Sequence, residues 1–182
     1  MKSKLIFCVL FGIFLTSIFD QHDALVFKFT NLVCESYNKS WFVFQNCRLK
    51  AVSRNKVTFN MNGTILHPVN DASAYGKIFK RANGYKPWLY EVKVDICQYF
   101  RKPNNPLVGI IYALFKQYTN INHTCPFIGP QIIKDFYLRP DLLQVPLPTG
   151  DYLLMIRWYF DRKLQFDTNA SFVFEEDLMN RN

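Results

Sequence analysis

The sequence predicts a mainly β fold, an antiparallel β-sandwich with one helix inserted between strands. Three observations predict it. Several segments alternate apolar and polar residues with a period of two, a single segment follows a helical period, and 17% of the 182 residues are aromatic. One domain suits this length, and the apolar content excludes intrinsic disorder.

The chain opens with the basic stretch Met1–Lys4, followed by fifteen uncharged residues from Leu5 to Phe19. That run falls short of the ~20 apolar residues that span a bilayer and suits the core of a signal peptide. The expected organisation is a signal peptide over 1–19, cleaved between about 17 and 24, a single domain over 25–176 and a short polar tail over 177–182. The mature protein is accordingly expected to be secreted and extracellular.

Leu25–Val33 and Trp41–Val52 read as strands with imperfect alternation. Val57, Phe59, Met61 and Ile65 alternate with Thr58, Asn60, Asn62 and Thr64, as on a half-buried strand. Trp88, Tyr90, Val92, Val94 and Ile96 alternate with Glu91, Lys93 and Asp95 in the same way. The segments 151–160 and 165–174, joined by Asp161, Arg162 and Lys163, read as a hairpin. In its second arm Phe166, Ala170, Phe172 and Phe174 share one face, and Gln165, Asp167, Asn169 and Ser171 share the other, expected to be wet. One segment breaks the pattern. Asn105 and Pro106 supply an N-cap and an N1 proline, and Leu107, Ile110, Ile111, Leu114, Phe115 and Tyr118 follow at helical spacing, giving a helix over about 106–118.

Four tripeptides match the N-glycosylation pattern, at Asn38, Asn62, Asn122 and Asn169. Cys8 lies in the signal segment, which leaves Cys34, Cys47, Cys97 and Cys125. An even number of cysteines in an oxidising compartment implies disulfides, whose pairing spacing alone leaves open. Zinc is excluded by spacing, since no two cysteines stand two to four residues apart.

Residues that carry chemistry are sparse. His22, His67 and His123 form no i, i+3 or i, i+4 pair, and no nucleophile elbow, zincin, P-loop or dinucleotide motif is present. Neither an enzyme, nor a metal, nor a cofactor is expected. The formal charge of +8 is uneven: residues 48–102 hold 11 Lys/Arg against 3 Asp/Glu, whereas 133–182 hold 6 against 8. Such asymmetry suits an anionic membrane surface or an acidic receptor as partner. Nucleic acid does not suit a secreted, glycosylated chain without a binding motif. The aromatic stripes have two readings. They fill an ordinary core about 10 Å thick, or they line a cavity for an apolar ligand.

Certain segments resemble known proteins. Cys125-Pro-Phe-Ile-Gly129 and Val145-Pro-Leu-Pro-Thr-Gly-Asp-Tyr152, followed by two strands, are similar to the C-terminal half of ML-type lipid-recognition proteins such as the ganglioside activator. Cys47-Arg-Leu-Lys-Ala-Val-Ser-Arg-Asn55, Asn83-Gly-Tyr-Lys-Pro-Trp-Leu-Tyr90, Val94-Asp-Ile-Cys97 and Ile121-Asn-His-Thr-Cys-Pro126 resemble an insect-expanded family of small secreted proteins that includes the CheB-type chemosensory proteins. This second resemblance covers about residues 27–175. Together they imply an immunoglobulin-like, ML-like antiparallel β-sandwich whose sheets splay around a lipid. They also imply disulfides Cys97–Cys125 and Cys34–Cys47. The ML-type bridge to a cysteine in the last strand has no counterpart, because no cysteine follows Cys125.

The function expected is a secreted, disulfide-bonded glycoprotein that binds a lipid or other apolar small molecule in a chemosensory or transport role. The helix would serve as a flap at the cavity mouth. Phe59, Met61, Trp88, Tyr90, Val92, Ile110, Leu114, Trp158, Phe160 and Phe172 are the candidate lining residues. The alternative is an extracellular protein-interaction module with a filled core, acting as a receptor ligand or accessory subunit.

Overall fold

The computed structural model describes residues 26–54, 56–143 and 146–176. The expected signal peptide with His22, the tail 177–182, and Asn55 and Val145 within the resembling segments lie outside the described residues. Leu25–Glu176 forms one compact unit.

Among the described residues eight strands and two α-helices follow in the order β1 (Val26–Ser36), β2 (Phe42–Ser53), β3 (Lys56–Val69), β4 (Ala72–Ala82), β5 (Gly84–Asp95), α1 (Ile96–Arg101), α2 (Pro106–Phe115), β6 (Phe127–Phe136), β7 (Gly150–Phe160) and β8 (Lys163–Glu175). All pairings are antiparallel. A five-stranded sheet runs β1-β8-β7-β4-β5 and a three-stranded sheet runs β2-β3-β6. The mainly β sandwich predicted by periodicity is thus the fold observed.

The local signals act as their chemistry requires. Asn105 caps α2, its side chain accepting from the Val108 N–H at 3.2 Å, with Pro106 at the first helical position. The helical run extends as a single 3-10 turn over Lys116–Tyr118. Asp161 and Arg162 take positive φ of 48° and 64°, the geometry of a two-residue type I′ hairpin between β7 and β8. Lys163, expected in the turn, opens β8 instead.

Two strands and a helix were hidden from the periodicity. In β4 the alternation is interrupted by Gly76, Lys77 and Lys80, and in β6 by Gly129 and Pro130. Pro130 is tolerated because β6 is an edge of the small sheet, where a missing N–H costs no ladder bond. Ile96, read as the end of a strand, opens α1 because the Asp95 side chain accepts from Gln98 N at 2.7 Å and caps a helix there.

Register separates the two faces of each sheet. In the large sheet Tyr152, Leu154, Ile156, Trp158 and Phe160 of β7 lie opposite Phe172, Ala170, Thr168 and Phe166 of β8 and opposite Lys80, Ile78, Gly76, Ala74 and Ala72 of β4. This row faces the small sheet, whose inward residues include Phe42, Phe44, Phe59, Met61, Gly63 and Ile65. Rings interlock across the gap: Phe29 on Phe59 at 5.9 Å and Phe42 stacked on Phe166 at 3.8 Å. Buried apolar residues form two clusters, one around Phe27, Phe59, Tyr152 and Phe172, the other around Phe42, Val69, Phe127 and Phe160.

Both implied disulfides are present. Cys34–Cys47 joins β1 to β2 and so ties one sheet to the other, while Cys97–Cys125 ties α1 to the residues before β6 and closes the loop containing α2.

The outward face of β8 departs from expectation. Gln165, Asp167 and Ser171 are buried rather than wet. β8 is an interior strand, so side chains of neighbouring elements close over it: Tyr37 donates to Asp167 at 3.1 Å and Arg157 lies 3.7 Å from the same carboxylate. Asn169 in this row and Asn62 in the interior strand of the small sheet both have a buried side-chain oxygen without a hydrogen-bond partner. The other two acceptor asparagines lie outside the strands, Asn122 exposed in a loop and Asn38 half-buried before the turn into β2.

Candidate apolar binding site

The two sheets have unequal width, and that inequality builds the site. Strands lie about 4.8 Å apart, so the five-stranded sheet is wider than its partner by roughly 10 Å. The small sheet packs on the β1 side, where β1 meets β2 and β3. At the opposite side α1 packs on β4 and β5, and α2 packs on β5.

Burial follows this geometry. The inward residues of β8, from Phe166 to Phe174, are all buried. On β7 the two ends, Tyr152 and Phe160, are buried, but Leu154, Ile156 and Trp158 between them are only half-buried. Gly76, Ile78 and Lys80 on β4 are also half-buried, as are Trp88, Tyr90, Val92 and Val94 along β5. The residues above them share this property: no side chain of α2 is fully buried, although its sequence Pro-Leu-Val-Gly-Ile-Ile-Tyr-Ala-Leu-Phe is almost wholly apolar. Apolar groups on β4, β5, central β7 and α2 thus keep part of their surface open.

The C-terminal half of α2 is anchored by ring contacts and a hydrogen bond. Leu114 and Phe115 pack against the first cluster, with Phe115 6.1 Å from Phe136. Tyr112 donates to the Ile121 carbonyl at 3.0 Å and stands edge-on to Phe100 at 5.3 Å. Gly109 sits above Tyr99, where an added Cβ would meet the phenol oxygen at 3.6 Å.

Each candidate residue has a definite place. Phe59, Met61 and Phe172 are buried in the first cluster, with Trp88 and Leu114 packed at its edge. Phe160 is buried in the second cluster and Trp158 lies at its margin, its indole donating to Thr168 at 3.1 Å. Tyr90 donates to the Pro146 carbonyl at 3.1 Å. Val92 and Ile110 are half-buried and belong to neither cluster among the described residues. Trp88, Tyr90, Val92, Ile110 and Leu114 therefore lie half-buried on β5 and α2, and Phe59, Met61, Phe160 and Phe172 are core. Periodicity missed Ile78, Lys80, Leu154 and Ile156, because β4 lacks clean alternation and β7 is apolar on both faces.

Polar groups gather at one end. Tyr152, fully buried, donates a short hydrogen bond to the Pro148 carbonyl. Burial, with the nearby Tyr90 phenol, pushes its pKa up, and burial does the same to Tyr112, so both stay neutral hydroxyls. Lys80 lies over the Trp88 ring at 5.1 Å and the Tyr152 ring at 5.6 Å. The Trp88 indole nitrogen is buried without an acceptor.

Chemistry that needs clustered ligands is not built here. Among the described residues no three His, Cys, Asp or Glu side chains converge as for a metal. His67 lies edge-on to Trp41 at 5.2 Å, and His123 meets the Thr124 carbonyl at 2.7 Å. What the arrangement can do is enclose apolar surface.

The described residues define a two-sheet sandwich whose wider sheet is flanked by α1 and α2 at the β4–β5 side. Residues 75–154 match the model of an uncharacterised family, described as protein of unknown function (DUF1091). The matched stretch runs from β4 into β7 and contains α2, both cysteines of the Cys97–Cys125 bridge, and Trp88, Tyr90, Val92, Ile110 and Leu114. No curated protein matches the chain.

Proposed function

We propose that this protein is a secreted glycoprotein that binds a lipid or other apolar small molecule in the interior beneath α2, without catalysing a reaction on it. One observation carries the reading: the inward residues of β5 and of central β7 remain half-open although most of their inward neighbours are apolar. Leaving such surface open forgoes stabilisation of about 25 cal/mol per Å², which a bound apolar molecule recovers. An alkyl chain contributes about 0.8 kcal/mol per buried CH₂, so eight methylenes supply roughly 6 kcal/mol without a polar contact. The ML-type and CheB-type resemblances and the hydrophobic N-terminus support the same reading. In it α2 is the flap, anchored at Tyr112 and Phe115.

Organic extraction of the protein purified from insect-cell medium, followed by mass spectrometry, tests this. Stoichiometric lipid, or saturable uptake of the neutral probe N-phenyl-1-naphthylamine by the extracted protein, is the expected result. Protein that carries no lipid and ignores the probe overturns it in favour of a filled-core interaction module.

A further inference from the structure

The inward face of β4 ends on a cation. Its row runs Ala72, Ala74, Gly76, Ile78, Lys80, and Lys80 pairs across to Tyr152, which is fully buried. An ammonium at the end of an apolar row needs a counter-charge, yet no carboxylate lies within 4 Å of Lys80 among the described residues. Its surroundings are the Trp88 and Tyr152 rings. The nearby Asp151 points to the other face and meets Arg81 at 3.8 Å.

Two further features mark the same spot. Across the β4–β5 ladder the partner of Lys80 is Lys86. Like charges directly opposite one another are unfavourable in a sheet unless an anion lies between them. Gly150 keeps the place clear, since a Cβ there would stand 2.8 Å from Lys80 Cε. Two ammonium groups paired across a ladder at the end of an apolar row match the two oxygens of a carboxylate at the end of an alkyl chain.

We infer that Lys80 and Lys86 receive the carboxylate of a single-chain lipid acid whose tail lies beneath α2. This rests on the apolar-ligand reading above and assigns its head group. The carboxylate accepts from the Lys80 ammonium, with Lys86 across the ladder, and offsets their repulsion. Charge-assisted hydrogen bonds are the stronger class, so the acid is favoured over the matching alcohol by about tenfold or more.

The test uses the extracted full-length protein loaded with N-phenyl-1-naphthylamine and displaced by hexadecanoic acid, hexadecan-1-ol and hexadecyl phosphate at neutral pH. The expected result is displacement by the acid at about tenfold lower concentration than by the alcohol. Lys80→Met should bring the acid to the level of the alcohol, and Lys80→Arg should keep the preference. Equal potency of acid and alcohol on the wild type overturns the head-group assignment and leaves the apolar reading standing, and it requires no variant to fold. Stronger displacement by the phosphate overturns the carboxylate in favour of a phosphate head. Failure of the probe to bind overturns both readings.

Discussion

Gly63 is the residue whose substitution most directly tests the packing between the sheets. It lies on the inward face of β3, between Phe44 on β2 and Gln131 on β6. A Cβ added there would stand 3.0 Å from both Cε1 and Cε2 of Phe42 and closer still to the ring tip. Carbon atoms pack best at about 3.5–4.0 Å, so the ring must retreat by at least ~0.5–1 Å. It has little room to do so. Phe42 is fully buried, stacked on Phe166 at 3.8 Å and edge-on to Phe44 at 4.8 Å. Overpacking of this kind costs about 1–3 kcal/mol, and the sandwiched ring places Gly63→Ala at the upper end. For a domain of this size that lowers the Tm by roughly 6–12 °C. Phe42→Leu, which shortens the offending side chain, should relieve part of the Gly63→Ala penalty. Thermal and urea unfolding of both single variants and the double variant measure that coupling as a double-mutant cycle. A Gly63→Ala protein within about 0.5 kcal/mol of the wild type, or strict additivity with Phe42→Leu, refutes the argument.

Other consequences follow from the same geometry. Ile156→Phe adds bulk to the half-open stretch of β7; it should cost less than about 1 kcal/mol and weaken uptake of the neutral probe, whereas a filled core would make it cost about 1–3 kcal/mol. Replacing Cys97 and Cys125 by serine frees a loop with a sequence separation of 28 and should lower urea stability by about 3–4 kcal/mol in the loop-entropy account. The Tyr37 phenol is pushed up to about 12 by desolvation, by its hydrogen bond to Asp167 and by the charges of Asp167 and Glu35. Because the folded state holds this proton more tightly than the unfolded chain does, the associated stability is complete below the ordinary phenol pKa of about 10 and lost as pH rises through about 12. Urea melts from pH 9 to 12 should show that loss, and Tyr37→Phe should make it shallower.

The elements that were legible in the sequence were those whose two faces meet different surroundings. In β5 one face meets the helix side and the other meets water, so Trp88, Tyr90, Val92 and Val94 stand out against Glu91 and Lys93. The cap and proline of α2 are local chemistry and were read directly. β4 and β6 were not, because Gly76 and Lys80 serve a tertiary purpose and Pro130 sits at an edge that only the sheet order defines. For the site, alternation separated the half-buried from the exposed residues of β5 but assigned no depth. Phe59 and Phe172 are buried between the two sheets, whereas Val92 on the β5 edge is only half-buried. Lys80 was passed over because a lysine breaks an apolar pattern; its inward direction follows from pairing with Tyr152.

By itself, then, the sequence determined a β-sandwich with one capped, apolar helix and two disulfides' worth of cysteines. Those are consequences of local periodicity, capping and composition, which each segment carries wherever it is placed. Tertiary structure alone decided that five strands face three, that α2 covers the excess width, and that Lys80, Lys86 and the Trp88 indole meet at its end. The physical reason is that periodicity along a strand fixes only the side to which a residue points. How much of that side is covered depends on strand order and on the width of the opposing layer, which are set by contacts between segments far apart in the chain.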